Sequence, residues 1–181
     1  MHRRTFILSS GSSLAFTPLT ASAIVNTLIS DELITSPLKQ FTKKDWLTIA
    51  IVQNHLFPSE SDSPGAVEIN ALHYLHNFLN NPATDPLDSE FIHSGSRLLQ
   101  QSTDGALSLS DQSIEQREIT LRQFEKSNDG RRWLVTILNY VLEALLTDPV
   151  YGGNPENIGW QWLEHRAGEP RPPMNKRYWL L

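Results

Sequence analysis

The sequence predicts an all-α fold, with about five helices in a compact bundle-like domain followed by an irregular tail rich in aromatic residues, proline and glycine. Three observations predict it. Apolar residues recur at three- and four-residue spacing along most of the chain, and no segment alternates convincingly with period two. An apolar content of 39% over 181 residues also suits one ordinary globular domain with a sizeable core.

Residues 1–23 read as an address and not as part of that fold. A short basic start (His2, Arg3, Arg4) leads into a weakly apolar stretch from Phe6 to Leu19, and Ala21-Ser22-Ala23 supplies a small-x-small site with cleavage after Ala23. Arg3-Arg4-Thr5-Phe6-Ile7-Leu8 matches the Arg-Arg-x-Phe-Leu pattern of twin-arginine signals, carried by Arg3, Arg4, Phe6 and Leu8. The expectation is a periplasmic protein that engages the twin-arginine translocon. Removing residues 1–23 leaves 13 basic against 20 acidic side chains, a formal charge of −7.

Residues 24–41 hold two short apolar runs broken by Ser30-Asp31-Glu32 and Ser36-Pro37, which predicts an arm or linker. The helical domain spans 42–147. Its first helix begins at Thr42, an N-cap with Asp45 three residues on, carries Trp46, Ile49, Ala50 and Leu56 on one side, and stops near Phe57 before Pro58. A second is predicted from Ser63-Pro64 to Leu79, with Val67, Ala71, Leu72, Leu75, Phe78 and Leu79 on its apolar face. A third fits Asp88 to Thr103 and a fourth Ser110 to Lys126, with Ile114, Leu121 and Phe124 inward, an exposed Glu118–Arg122 pair, and Asn128-Asp129-Gly130 as the closing turn. The fifth, Arg131 to Leu146, carries Trp133, Leu134, Ile137, Leu138, Val141, Leu142, Leu145 and Leu146 around most of its circumference, which predicts a central core helix. The tail, 148–181, holds Gly152, Gly153, Gly159 and Gly168 and three of the five tryptophans, so it should pack on the core or on a partner.

Composition excludes several functions. The chain has no cysteine, which rules out Fe–S ligation, covalent c-type haem, disulfides and a nucleophilic thiol within it. There is no basic stripe, so nucleic acid is not a partner. No stretch reaches the roughly 20 apolar residues of a membrane span.

Three segments carry a resemblance: Leu56-Phe57-Pro58, Ser63-Pro64-Gly65-Ala66-Val67-Glu68, and Asp148-Pro149-Val150-Tyr151-Gly152-Gly153-Asn154 followed by Gly159-Trp160. Over roughly residues 42–173 the chain resembles the gluconate 2-dehydrogenase subunit 3 family, the small gamma subunits of membrane-associated flavoprotein dehydrogenases. The chain departs from the family pattern at Ile69 to His76 and at Gly168 to Pro173. The resemblance implies a non-catalytic subunit without cofactor of its own. It also implies a large glucose-methanol-choline type partner that holds FAD and oxidises a sugar or polyol, and a multi-haem cytochrome with haem c as a third part. In that family the small subunit carries the export signal for the large one and assists its folding.

Other constellations weigh less. His73 and His76 share a helix face with Glu68 near it, but two histidines without a third ligand from another element predict no metal. There is no Gly-x-Ser-x-Gly elbow and no strand to carry one, so a hydrolase is not expected. Asp62, Glu68 and Asp148 suit loop hydrogen bonding and helix capping better than paired-carboxylate catalysis. The Tyr151-Gly152-Gly153-Asn154 segment reads equally as a cradle for a partner and as a tight structural turn. With Trp160, Trp162, Arg171, Pro172, Tyr178 and Trp179 it forms the expected partner interface, because aromatic and arginine side chains dominate interface energetics. A free-standing periplasmic enzyme or ligand-binding helical domain is the alternative.

Overall fold

The structure, a computed structural model, describes residues 38, 40–103 and 107–173. The twin-arginine segment, most of the 24–41 arm, and Tyr178 and Trp179 lie outside the described residues. Among the described residues there are five long helices and a short sixth, and no strand beyond an isolated bridge between Glu60 and Ser63.

Helix α1 (Lys43–Leu56) starts on the expected capping box: the Thr42 hydroxyl accepts the Asp45 N–H, and the Asp45 carboxylate accepts the Thr42 N–H at 2.8 Å. That exchange satisfies two of the donors a helix start leaves open. Asp45 is fully buried and also accepts the Gln100 amide at 2.9 Å and the Ser96 hydroxyl, so the cap bolts α1 to α3 (Pro86–Ser102). Burial by itself would raise its pKa. The Thr42 hydroxyl and N–H, the Gln100 amide and the charge of His93 outweigh that and hold it below the usual carboxylate value.

The second helix is shorter than predicted. Residues 66–70 form turns, and α2 runs only from Ala71 to Leu79. The Ser63-Pro64 start fails because the Glu68 carboxylate accepts the Gly65 N–H at 3.0 Å and the Ser59 hydroxyl, closing a loop. Asn70 then sits in the left-handed region at φ 60°, which no helix interior accommodates. Helix α3 opens two residues early because Asp85 accepts the Leu87 N–H while Pro86 occupies the first turn.

Two further boundaries move for the same kind of reason. Ser113, not Ser110, forms the cap of α4 (Ile114–Glu125), exchanging bonds with Gln116 in a second capping box, and Ile114 is 70% exposed where an inward position was expected. Asn128-Asp129-Gly130 is no turn but the first turn of α5 (Asn128–Leu146), because the Ser127 hydroxyl accepts the Gly130 N–H at 2.9 Å.

Helix α5 is the central element and packs against all four preceding helices and the short α6 (Ile158–Trp162). Trp133, Ile137 and Val141 are buried on it, and the Trp133 indole donates to the Ile92 carbonyl at 3.0 Å. Gly95 of α3 permits this approach, since a Cβ there would lie 1.9 Å from the Trp133 ring. A second, smaller core of Ala66, Ile69, Ala71, Val141, Ala144 and Leu145 fills the end of the bundle beneath the 58–70 loop. Of the apolar residues expected to cover most of the circumference of this core helix, Leu142 and Leu146 are 40% and 51% exposed, and Val135 beside them is 52% exposed.

The C-terminal clasp and the candidate partner interface

After Thr147 the chain makes two single 3-10 turns, Pro149–Tyr151 and Pro155–Asn157, before α6. Four residues in this stretch have positive φ: Gly152 at 98°, Asn154 at 50°, Glu156 at 53° and Asn157 at 61°. Such conformations cost of order 1–3 kcal/mol each for residues other than glycine, least for asparagine, and persist only where surrounding bonds over-determine them. Here they do.

Asn154 is fully buried and is the hub of the clasp. Its side chain donates to the Thr147 carbonyl at 2.9 Å and accepts the Gly159 N–H at 2.7 Å, while its own N–H donates to the Ile69 carbonyl at 2.9 Å. One residue thus joins the end of α5, the start of α6 and the 58–70 loop. The Asn70 amide returns the contact by donating to the Gly152 carbonyl at 2.9 Å. Gly153 and Gly159 lie against the α5 backbone, where a Cβ would come 2.7 Å from the Ala144 carbonyl oxygen and 2.3 Å from that of Leu145.

Trp160 closes the clasp. It is buried, and its indole N–H donates to the Leu146 carbonyl at 2.8 Å, capping a helix end that would otherwise keep an open acceptor. Arg171 returns from the far side. Its Cζ stands 4.9 Å from the Trp160 ring centroid, its Nε donates to Asp148 at 2.9 Å, and its Nη2 reaches Asn157 at 3.3 Å. The Asp148 carboxylate bond is the main cause that raises the Arg171 pKa above its ordinary value.

The structure therefore divides the expected interface set. Gly153, Asn154 and Trp160 are buried within the chain and offer a partner no surface, so of the two readings of Tyr151-Gly152-Gly153-Asn154 the described geometry is that of a structural turn. Tyr151, Gly152, Arg171 and Pro172 are half-buried at the rim. Trp162 is 40% exposed and Leu163 43%, with the Trp162 ring against Phe57 at 6.2 Å. Asp148 and Glu68 serve loops and caps, and Asp62 is exposed. Glu68 is not brought to the histidines: His76 is buried against the edge of Trp46 at 5.5 Å and 6.3 Å from the ring of His73. Among the described residues no group of three or more His, Asp or Glu is close enough to hold a metal ion.

Sequence reasoning missed a groove of about 310 Å³ between α1, α4 and α5. Leu56, Leu121, Leu134, Val135 and Leu138 form its apolar floor. On its rim, Glu118 lies 2.8 Å from His55 Nε2 and 2.7 Å from Arg122 Nε. The His55 contact, then the Arg122 contact, hold the Glu118 carboxyl below its ordinary pKa. Phe57, the residue after Leu56, meets the ring of the exposed Trp162, and Leu163 beside it is exposed as well. The available signal was the surplus of apolar residues on α5, more than one buried face can use.

A second open groove, of about 770 Å³, lies between α3 and α4 and is lined by Leu98, Gln101, Ile119, Thr120 and Phe124, with Asp129 at its edge. No helix among the described residues is long and apolar enough to cross a membrane.

The fold is a helical domain whose motif residues lock its own C-terminal segment and which leaves an apolar groove open between α1, α4 and α5. A family model described as gluconate 2-dehydrogenase subunit 3 matches residues 43–168. The chain belongs to the gluconate 2-dehydrogenase subunit 3 family, accessory subunits of a dehydrogenase complex. No curated protein and no solved structure matches it.

Proposed function

We propose that this chain is the non-catalytic small subunit of a periplasmic flavin-dependent dehydrogenase of the glucose-methanol-choline type, acting on a sugar, polyol or sugar acid. It carries the large subunit through the twin-arginine pathway, assists its folding and stays bound to it. The FAD resides in that partner, and a multi-haem cytochrome c accepts the electrons. Family membership supports the assembly, and Arg3-Arg4-Thr5-Phe6 supports the route.

The observation that carries the binding part is the open apolar groove of Leu56, Leu134, Val135 and Leu138, with the exposed pair Trp162 and Leu163 on α6 and just after it as a second apolar feature. Exposed apolar surface rimmed by charge is the usual anatomy of an interface, and an exposed aromatic is a usual hot spot. Glu118, Arg122 and Glu125 supply that rim. The interface is thus centred on Trp162 and that groove, with Arg171 and Pro172 at its edge.

Two experiments test the reading. Replacing Arg3 and Arg4 with lysine strands the dehydrogenase in the cytoplasm together with this chain, and normal export of the dehydrogenase refutes the escort role. Separately, tagged chain recovered from the periplasm brings down a heavier band with a flavin absorbance spectrum. The double change Val135→Glu, Trp162→Glu removes that band while the helical circular dichroism is kept. Undiminished recovery by the double variant refutes the assigned interface.

A further inference from the structure

Arg171 reaches the clasp from outside, and the three groups that receive it are each held by other bonds. Asp148, whose side chain is only 9% exposed, offers Oδ2 to the guanidinium while its Oδ1 accepts the Val150 N–H at 3.2 Å. Asn157 is fixed by its own N–H, which donates to the Asn154 carbonyl at 3.0 Å. The buried Trp160 ring is anchored through its indole N–H to Leu146. A carboxylate, an amide oxygen and a ring face thus converge on one point without help from the cation, which is the preorganised form of a cation site.

The occupant is held less firmly than the pocket. Arg171 is 34% exposed, and the strap that carries it, residues 163–170, is exposed except at residue 167. The strap is bonded at its root, where the Glu164 and His165 N–H groups donate to the Gln161 and Trp160 carbonyls and the His165 ring stands 5.9 Å from that of Trp160. Further along, a Cβ at Gly168 would have nothing within 4 Å. The Arg171 side chain brings the far end of the strap back to the domain.

We propose that Asp148, Asn157 and Trp160 form an arginine-recognition pocket of which Arg171 is the displaceable occupant, so that an arginine presented by a partner protein takes its place and frees the strap. The chemistry selects a guanidinium. Its planar fork gives Nε to Asp148 and Nη2 to Asn157 while Cζ lies 4.9 Å from the Trp160 ring centroid. An ammonium, a point charge with tetrahedral donors, does not meet all three at once. Release adds the Trp160 ring to the surface of α6, two residues before the exposed Trp162. The pocket belongs to the lone chain and is tested there, apart from the dehydrogenase reading.

The test uses the full chain with isotope-labelled tryptophan, the Trp160 indole resonance identified by its loss in Trp160→Phe, and N-acetyl-arginine amide as probe. In Arg171→Ala the emptied pocket takes the probe and the Trp160 resonance shifts saturably. In the parent, where the tethered Arg171 competes, the same probe concentration gives a shift at least about ten-fold smaller. N-acetyl-lysine amide shifts neither. Adding Asp148→Asn to Arg171→Ala, which leaves an amide oxygen to cap Val150, abolishes the response. The strap is read separately: glutamyl endopeptidase cleaves after Glu164 at least about ten-fold faster in Arg171→Ala than in the parent, and Arg171→Lys does not restore resistance. Circular dichroism of each variant matches that of the parent, because the latch lies outside both apolar cores. The proposal is overturned by no shift in Arg171→Ala, by equal shifts with the lysine probe or in the parent, by a response that survives Asp148→Asn, or by a strap that Arg171→Ala leaves resistant or Arg171→Lys restores.

Discussion

Asn154→Ala is the sharpest test of the clasp. The substitution removes an acceptor from the buried Gly159 N–H and a donor from the partly buried Thr147 carbonyl, at a side chain with no solvent exposure of its own. Each buried group left open costs about 1–3 kcal/mol. Holding alanine at φ 50°, ψ 50° adds about 1 kcal/mol over asparagine. The total is about 3–7 kcal/mol, against a typical domain stability of about 5–15 kcal/mol. A penalty of that size exceeds what the short 148–173 segment gains by docking, so local release precedes global unfolding. The assay is paired: urea unfolding followed by far-ultraviolet circular dichroism, and limited tryptic proteolysis at Arg166, since the Arg171-Pro172 bond is resistant. The expected result is cleavage after Arg166 under conditions where the parent chain resists, with most helical signal kept. Asn154→Gly, which keeps the backbone but not the bonds, recovers only the alanine strain. If Asn154→Ala stays within about 1 kcal/mol of the parent and resists cleavage, the hub role is wrong.

Two other outcomes follow from the packing. Gly95→Ala places a methyl 1.9 Å from the Trp133 ring and destabilises by about 1–3 kcal/mol or more, whereas Gly168→Ala, with nothing within 4 Å, stays within about 0.5 kcal/mol; denaturant midpoints check both. Asp45 has a folded pKa below its unfolded value, so its contribution is fully present above about pH 4 and is lost as pH falls through the lower folded value. Asp45→Asn is less stable at neutral pH and shows a shallower fall in stability below pH 4 by acid titration of the urea midpoint.

The readable parts of the sequence were those where one local rule had no rival. Thr42 and Asp45 stand three apart before an apolar run, and no later residue competes for them, so α1 came out where expected. Ser63-Pro64 obeys an equally good rule and failed, because Glu68 bends back onto Gly65 and Asn70 turns left-handed; both act across the loop. Asn128-Asp129-Gly130 has the composition of a turn, yet Ser127 captures Gly130 and begins a helix. The clasp was legible as a motif but not as a geometry. Asn154 looks like an exposed turn residue until the Ile69 carbonyl, 85 positions earlier, is brought to its N–H. The apolar groove was hidden for a different reason: on a helix as apolar as α5, periodicity does not separate the side chains that face the core from those that face a partner.

The pairing of residues 69 and 70 with residues 152 and 154 sets an order of events. Loops that close late in sequence are the slow steps of folding, because chain entropy is spent before any contact returns it. During synthesis the 58–70 loop and the small core beneath it must wait, incomplete, until residues 152–158 have emerged. A nascent chain stopped before residue 148 has five helices and an open end. The clasp therefore works as a seal that closes the small core only once residues 148–160 have joined residues 69 and 70.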